Sequence, residues 1–221
     1  DDKYDADGEF EKLKARLVAC GNFQQILDAF GKAGSASSPT VNLTIVFIIL
    51  SICAKRGLRR KVFDVTGAFL NAPLKNPEFM RLSKRVSEIL VKDDQDKKKF
   101  LQDDGSMVVE LMRALYGLKS ASRDWYDMLA QALMAGGYTR SAVDSCLFTK
   151  EVDGEVCYIL VYVDDMLVCS SSVEMENEVE ALLTEKFKDI TCKEGDRISF
   201  LGMMLSSNAT GDISVNQTGF V

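Results

Sequence analysis

No histidine occurs anywhere in the 221 residues. That absence removes Ser-His-Asp hydrolases, Cys-His proteases, HExxH metalloenzymes and any acid–base chemistry run on imidazole. A GxxxxGK[ST] loop is also missing, which excludes phosphate cradling of the P-loop kind. The six cysteines (Cys20, Cys53, Cys146, Cys157, Cys169 and Cys192) include no CxxC pair. Lacking zinc spacing, and with Cys53 and Cys169 inside apolar runs, they read as buried free thiols of a reducing compartment. The longest apolar run, 41–54, is broken by Asn42, Thr44 and Ser51 and falls short of the ~20 residues that cross a bilayer. The N-terminal DDKYDADGEF is polar and acidic, unlike a secretory leader. These features predict a cytoplasmic or nuclear protein, neither secreted nor bound to a membrane. Positive charge is short as well, with 27 Lys and Arg against 33 Asp and Glu for a net charge of -6. Bulk charge of that sign does not hold nucleic acid, so any such binding needs a local basic groove or other segments.

What remains for catalysis is carboxylates, Lys, Tyr, Ser or a metal. The chain is 47% hydrophobic and 27% charged, the balance of a globular protein with a sizeable core in one large domain or two small lobes. KARLVAC (14–20) reads as a strand bearing basic residues, and 31–38 as a loop. Ser38 before Pro39 suits a helix N-cap with proline at the first helical position, opening a buried helix closed by Lys55, Arg56 and Gly57; the run's many β-branched residues also fit a strand, and its length favours the helix. KVFDVTGAFL (61–70) predicts a buried strand leading into a turn or helix, and the charged stretch 83–106 predicts a solvated surface loop. A helix from Ser122 places Trp125, Leu129 and Leu133 on one face and ends at Gly136 and Gly137. A hairpin follows, with Asp153-Gly154 as its two-residue turn. Its return strand is interrupted by Asp164-Asp165. Ser171-x-x-Glu174 fits a capping box opening an amphipathic helix to about Lys188, and ISFLGMML to ISVNQ a final hairpin turning at NATG. Asn208-Ala209-Thr210 within that turn fits a glycosylation sequon, but without a leader it reads as turn. Strands and helices mix without βαβ alternation, which predicts an α+β fold with an antiparallel sheet packed on helices.

The stretch YILVYVDDMLVC (158–169) sets two adjacent carboxylates between apolar strands. Unpaired buried carboxylates are costly, so such groups are paired, protonated or bound to metal. An exposed acidic turn is the plain alternative. Asp64 sits in a second apolar run, between Phe63 and Val65, where a strand-end cap is again the plain alternative. If that strand lies beside the hairpin, Asp64, Asp164 and Asp165 gather three carboxylates without any histidine. Such a set suits Mg²⁺, which favours a few carboxylates plus substrate phosphate oxygens.

KARLVACGNFQQ, DVTGAFLNAPL, ALYGLKSASRDWY, LVYVDDMLV and FLGMML, in this order, resemble the reverse transcriptase domain of copia-type retrotransposon Pol polyproteins. The resemblance runs from about Lys12 to Leu205. It implies a right-hand polymerase: a single domain over 1–221 with partial fingers (about 1–60 and 75–115), palm (about 61–74 and 116–205) and no thumb. Asp64, Asp164 and Asp165 then match the catalytic aspartates, which with the backbone of Val65 hold two Mg²⁺ ions, or Mn²⁺. On that match Asp64 and Asp165 are the residues expected to bridge the metals directly, with Asp164 completing the site. Phe69 matches the aromatic steric gate against ribose. Tyr116, Gly117 and Lys119 match the motif beside nucleotide and template, and Lys14 and Arg16 the fingers strand reaching the triphosphate. Phe200, Leu201 and Gly202 resemble the segment near the primer grip. Implied partners are an RNA or DNA template with primer, dNTPs, and the RNase H and integrase segments of a polyprotein, in a cytoplasmic virus-like particle or the nucleus. The family pattern has proline at Ser122, glycine at Ala72 and a basic residue at Cys20. The alternatives are an inactive remnant keeping the fold, another palm-type nucleotidyl transferase, and an interaction module whose YVDD is only a turn.

Overall fold

The computed structural model describes residues 2–4, 10–13, 17–19, 37–208 and 210–217. In chain order the elements are β1 (Asp2–Tyr4), β2 (Phe10–Leu13), α1 (Leu43–Arg56), β3 (Arg59–Val65), α2 (Ala68–Asn71), β4 (Pro73–Leu82), α3 (Lys84–Asp93), a 3-10 helix (Gln95–Phe100) and β5 (Met107–Arg113). There follow α4 (Ala121–Ala135), β6 (Thr139–Arg140), β7 (Leu147–Val152), β8 (Glu155–Tyr162), β9 (Asp165–Ser170), α5 (Val173–Phe187), β10 (Ile190–Glu194), β11 (Arg197–Phe200), β12 (Met203–Ser207) and β13 (Ile213–Asn216). Helix and sheet are mixed, and every strand pairing among the described residues is antiparallel. The chain divides into two compact units, 1–36 with 72–124, and 37–71 with 125–221.

The second unit is built on a six-stranded sheet in the order β10-β3-β9-β8-β7-β6. Its central strands are apolar on both faces: Val62, Phe63 and Val65 in β3, Ile159, Leu160 and Val161 in β8, and Met166 to Cys169 in β9 are all buried. Strands with two covered faces lose simple alternation, which is why they read as continuous apolar runs. α5 packs across β8, β9, β3 and β10. Its Phe187 meets the fully buried Trp125 of α4 edge to face, ring centroids 4.9 Å apart. α1 buries Val46, Ile49, Leu50 and Cys53, one stripe at helical spacing, and the Cys169 thiol is the first cause that lowers the Cys53 thiol from its ordinary pKa. β11, β12 and β13 form a separate three-stranded sheet.

Several expectations need correction. α1 starts at Leu43, capped by Asn42, whose Oδ1 accepts from the Thr44 amide at 2.8 Å. Ser38 and Pro39 lie upstream of it, because Val41 is drawn onto the sheet by its N–H bond to the Val161 carbonyl. α1 is also buried on one face only, with Leu43, Phe47 and Ile48 about half exposed. The α5 cap is Ser172, whose Oγ accepts from the Met175 amide. Ser171 instead accepts from the Val156 amide on the β8 side. The expected single strand ISFLGMML is a β11–β12 hairpin, folded back at Leu201-Gly202 where both φ values are positive. Asn208 ties the next turn, accepting from the Thr210 and Asp212 amides.

In the first unit, 83–106 is no loop: it holds α3 and the 3-10 helix, with Lys97 paired to Asp93 and Asp94 at helical spacing. β4 and β5 form an antiparallel hairpin whose register jumps between Pro73 and Glu78. Pro73 and Pro77 mask this strand in the sequence, since proline cannot donate to the ladder. Residues 17–19 belong to no strand; Lys14, Arg16 and Cys20 lie outside the described residues. The other five cysteines are free thiols, all but Cys192 buried.

Candidate active site

β3 and β9 run antiparallel with Asp64 directly opposite Asp165, the last register pair before β9 begins at the β8 turn. Directly opposed residues of an antiparallel pair project from the same face, so the two carboxylates share one face of the sheet. Asp164 occupies the two-residue turn Val163-Asp164 that closes β8 onto β9 at the Tyr162–Asp165 pair. Its carbonyl accepts from the Val65 amide at 3.3 Å, so turn and β3 are tied together beside the Asp64–Asp165 pair. The structure thus brings the three aspartates and Val65 together.

The electrostatics follow from this placement. Burial is the first cause that pushes the Asp165 carboxyl from its ordinary 3.8 up to about 6, followed by repulsion from Asp164 and Asp64. Lys193 of β10 pulls the other way. Asp64 also faces Thr191 of β10, and Lys193 lies two residues along on that face, opposite Val62. Among the described residues no group of three or more carboxylates or thiols closes tightly enough to hold a metal ion by itself. The donor set nonetheless fits one. Three carboxylates within electrostatic reach carry a repulsion that a divalent cation relieves. They fit by charge and donor type rather than as a finished cage.

The turn itself is unusual. Val163 has φ of 57° while Asp164 is not in the positive-φ region. That is the pattern of a type II′ turn, whose first central position normally belongs to glycine. For a β-branched residue this backbone costs about 1–3 kcal/mol. The indole N–H of Trp125 donates to the Val163 carbonyl at 2.6 Å. Trp125 is fully buried. In the sequence a lone Trp at helical spacing reads as core, and nothing there signals this bond; likewise nothing marks Lys193, whose position follows only from the β10–β3 register.

Phe69 lies in the short helix α2, half-buried, in the same unit as the triad. Tyr116, Gly117 and Lys119 belong to the other unit. Gly117 has φ of 92°, and a Cβ there would stand 2.1 Å from the Ala19 carbonyl oxygen. The backbone that approaches this glycine so closely is therefore the chain's own: the Ala19 amide donates to the Tyr116 carbonyl at 2.7 Å.

The family model described as reverse transcriptase (RNA-dependent DNA polymerase) matches residues 2–221, and the chain belongs to that family. Its similarity is to copia-type Pol polyproteins. It is 31% identical over 211 residues to the retrovirus-related Pol polyprotein from transposon RE1 of Arabidopsis thaliana, covering 95% of this chain and 13% of that protein. To the polyprotein from transposon TNT 1-94 of Nicotiana tabacum it is 28% identical over 211 residues, covering 94% and 14%. The chain thus spans about an eighth of the curated relatives it matches. Among solved structures, apo telomerase from Candida tropicalis, truncated from the C-terminal domain, aligns with a TM-score of 0.43 at 12% identity over 80% of this chain and 40% of that one.

Proposed function

We propose that this chain is the fingers-and-palm core of a copia-type RNA-directed DNA polymerase, which joins dNTPs to a primer 3′-OH. The observation that carries the reading is the register pairing of Asp64 with Asp165 beside the Asp164 turn. It sets three carboxylates at one end of two central strands in a chain without histidine. On this reading the palm comprises about 61–74 and 116–205, which carry the three aspartates, and the fingers about 1–60 and 75–115.

Asp64 and Asp165, completed by Asp164 and the backbone of Val65, would hold two Mg²⁺ ions, with Mn²⁺ able to replace them. Bound there, the ions supply charge stabilisation to the attacking and leaving oxygens of an in-line displacement. The chain's own contribution is to present charged carboxylates on rigid strands. With its carboxyl at about 6, Asp165 is ionised at neutral pH and ready to ligate. Phe69, five positions after Asp64, serves as the steric gate that turns away a ribose 2′-OH. Tyr116, Gly117 and Lys119 are assigned to the incoming nucleotide and template, and Lys14 and Arg16 to the triphosphate. Catalysis then comes from positioning and charge neutralisation.

Partners on this reading are a primed RNA or DNA template, dNTPs and the RNase H and integrase segments of a Pol polyprotein, working in a cytoplasmic virus-like particle or the nucleus. Among the described residues no helix is long and apolar enough to cross a membrane. The net charge of -6 fits a core that draws part of its nucleic-acid affinity from such flanking segments. The test is primer extension on poly(rA)/oligo(dT) with Mg²⁺. Extension by the parent chain and none by the Asp164→Asn, Asp165→Asn double variant supports the reading. Equal extension by both overturns it.

A further inference from the structure

We propose that Trp125 is a positioning residue for the carboxylate turn: its indole N–H holds Val163 in the left-handed backbone that aims Asp164 and Asp165. The inference rests on the polymerase reading above, since it assigns a role within that site.

Three observations meet here. Val163 is β-branched, and among the described non-glycine residues with positive φ (Asp153, Val163, Lys188 and Leu201) it is the one whose side chain least tolerates that conformation. By contrast, the Asp153-Gly154 turn at the other end of β8 uses residues suited to φ of 53° and 84°. Such a backbone persists only where the surroundings over-determine it. The Val163 carbonyl, the oxygen immediately before Asp164, accepts the Trp125 N–H at 2.6 Å. Trp125 itself cannot drift. It is fully buried on α4 and set edge to face against Phe187 of α5. On the far side of the turn the Asp164 carbonyl takes the Val65 amide. The two peptide units that flank Asp164, Val163–Asp164 and Asp164–Asp165, are thus each held by one bond, one from the helical layer and one from β3. Losing the first leaves the strained residue free to relax, and relaxation at Val163 swings the carboxylate that follows it.

A core tryptophan and a clamp make different predictions. Trp125→Phe keeps an aromatic ring against Phe187 and removes only the donor. If the bond restrains a strained turn, removing the strain should make the bond dispensable. Glycine at position 163 adopts φ near 57° without cost, so the experiment is a cycle of Trp125→Phe, Val163→Gly and the double variant in primer extension with Mg²⁺. Trp125→Phe is expected to lower kcat about tenfold while KM for dNTP and Kd for primer–template stay within about twofold. In the Val163→Gly background the same change should lower kcat by about twofold or less. An equal loss in both backgrounds overturns the clamp, as does a Trp125→Phe variant with parental kcat. Amide hydrogen exchange supplies a readout that does not need activity. The Val65 amide should exchange about tenfold faster in Trp125→Phe, with β7 amides unchanged. If the parent extends no primer, the polymerase reading fails and the exchange result alone decides the clamp. Parental exchange at Val65 would overturn it.

Discussion

Replacing Asp165 by asparagine should stabilise the metal-free protein at neutral pH while abolishing primer extension. The folded protein holds the Asp165 proton more tightly than an unfolded chain does, with the carboxyl at about 6 instead of 3.8. The associated stability is therefore complete below about 3.8 and is lost as pH rises through about 6. At pH 7 the ionised carboxylate bears the full cost of burial and of facing Asp164 and Asp64. The distance between the two values sets a ceiling of about 3 kcal/mol. Asp165 is only partly buried, and solvent screening brings this to about 1–2 kcal/mol. For a chain of this size that is a rise in Tm of about 3–6 °C. The assay is thermal unfolding in EDTA at pH 7 and pH 4.5. The Asp165→Asn variant should melt higher at pH 7, and the gap should narrow by about two-thirds at pH 4.5, where the folded parent's carboxyl is protonated. Saturating Mg²⁺ should raise the parent's Tm and leave the variant's nearly unmoved. A variant less stable than the parent at pH 7, or a gap independent of pH, would refute the argument from burial and repulsion.

Other substitutions probe different parts of the molecule. Glu176 is buried beneath Arg59 and Lys61, at 3.1 Å and 3.6 Å, so Glu176→Leu should cost about 3 kcal/mol in urea unfolding by leaving the buried Lys61 without that partner. A cost under about 0.5 kcal/mol would mean that Glu194 and Glu180, 3.0 Å and 4.0 Å from Lys61, suffice as its partners. Gly117→Ala meets the Ala19 carbonyl at 2.1 Å with φ of 92° and should destabilise by about 2 kcal/mol or more, read as a lower urea midpoint. Phe69→Val should raise the kcat/KM ratio of rNTP to dNTP by about tenfold or more. An unchanged ratio would remove Phe69 from sugar selection.

The sheet that carries the site is legible in the sequence because its strands are apolar runs punctuated by aspartates, a pattern that local packing and the cost of burying charge both explain. Asp64 and the Asp164-Asp165 pair are 100 residues apart, and no local rule joins them; only the resemblance to a family did so ahead of the register. Helix starts were harder to place because several Ser and Asn residues could cap, and the choice between them was made by tertiary bonds such as Val41 to Val161. The β4–β5 hairpin was hidden by two prolines and a register jump, and 83–106 by charges that lie on solvated helices rather than loops. Trp125 marks the limit most clearly. Its spacing on α4 announces a core residue, which it is, while the indole bond to Val163 depends on where a strand 38 residues later turns.

The central claim is that Asp64, Asp164 and Asp165 form one divalent-cation site for nucleotide transfer. The most direct test counts bound Mn²⁺ by electron paramagnetic resonance, in a complex of the chain with dideoxy-terminated primer–template and the next dNTP. The account predicts two ions per complex, falling to one or none in Asp64→Asn while primer–template affinity is retained. The same Mn²⁺ count and affinity in parent and variant would contradict it.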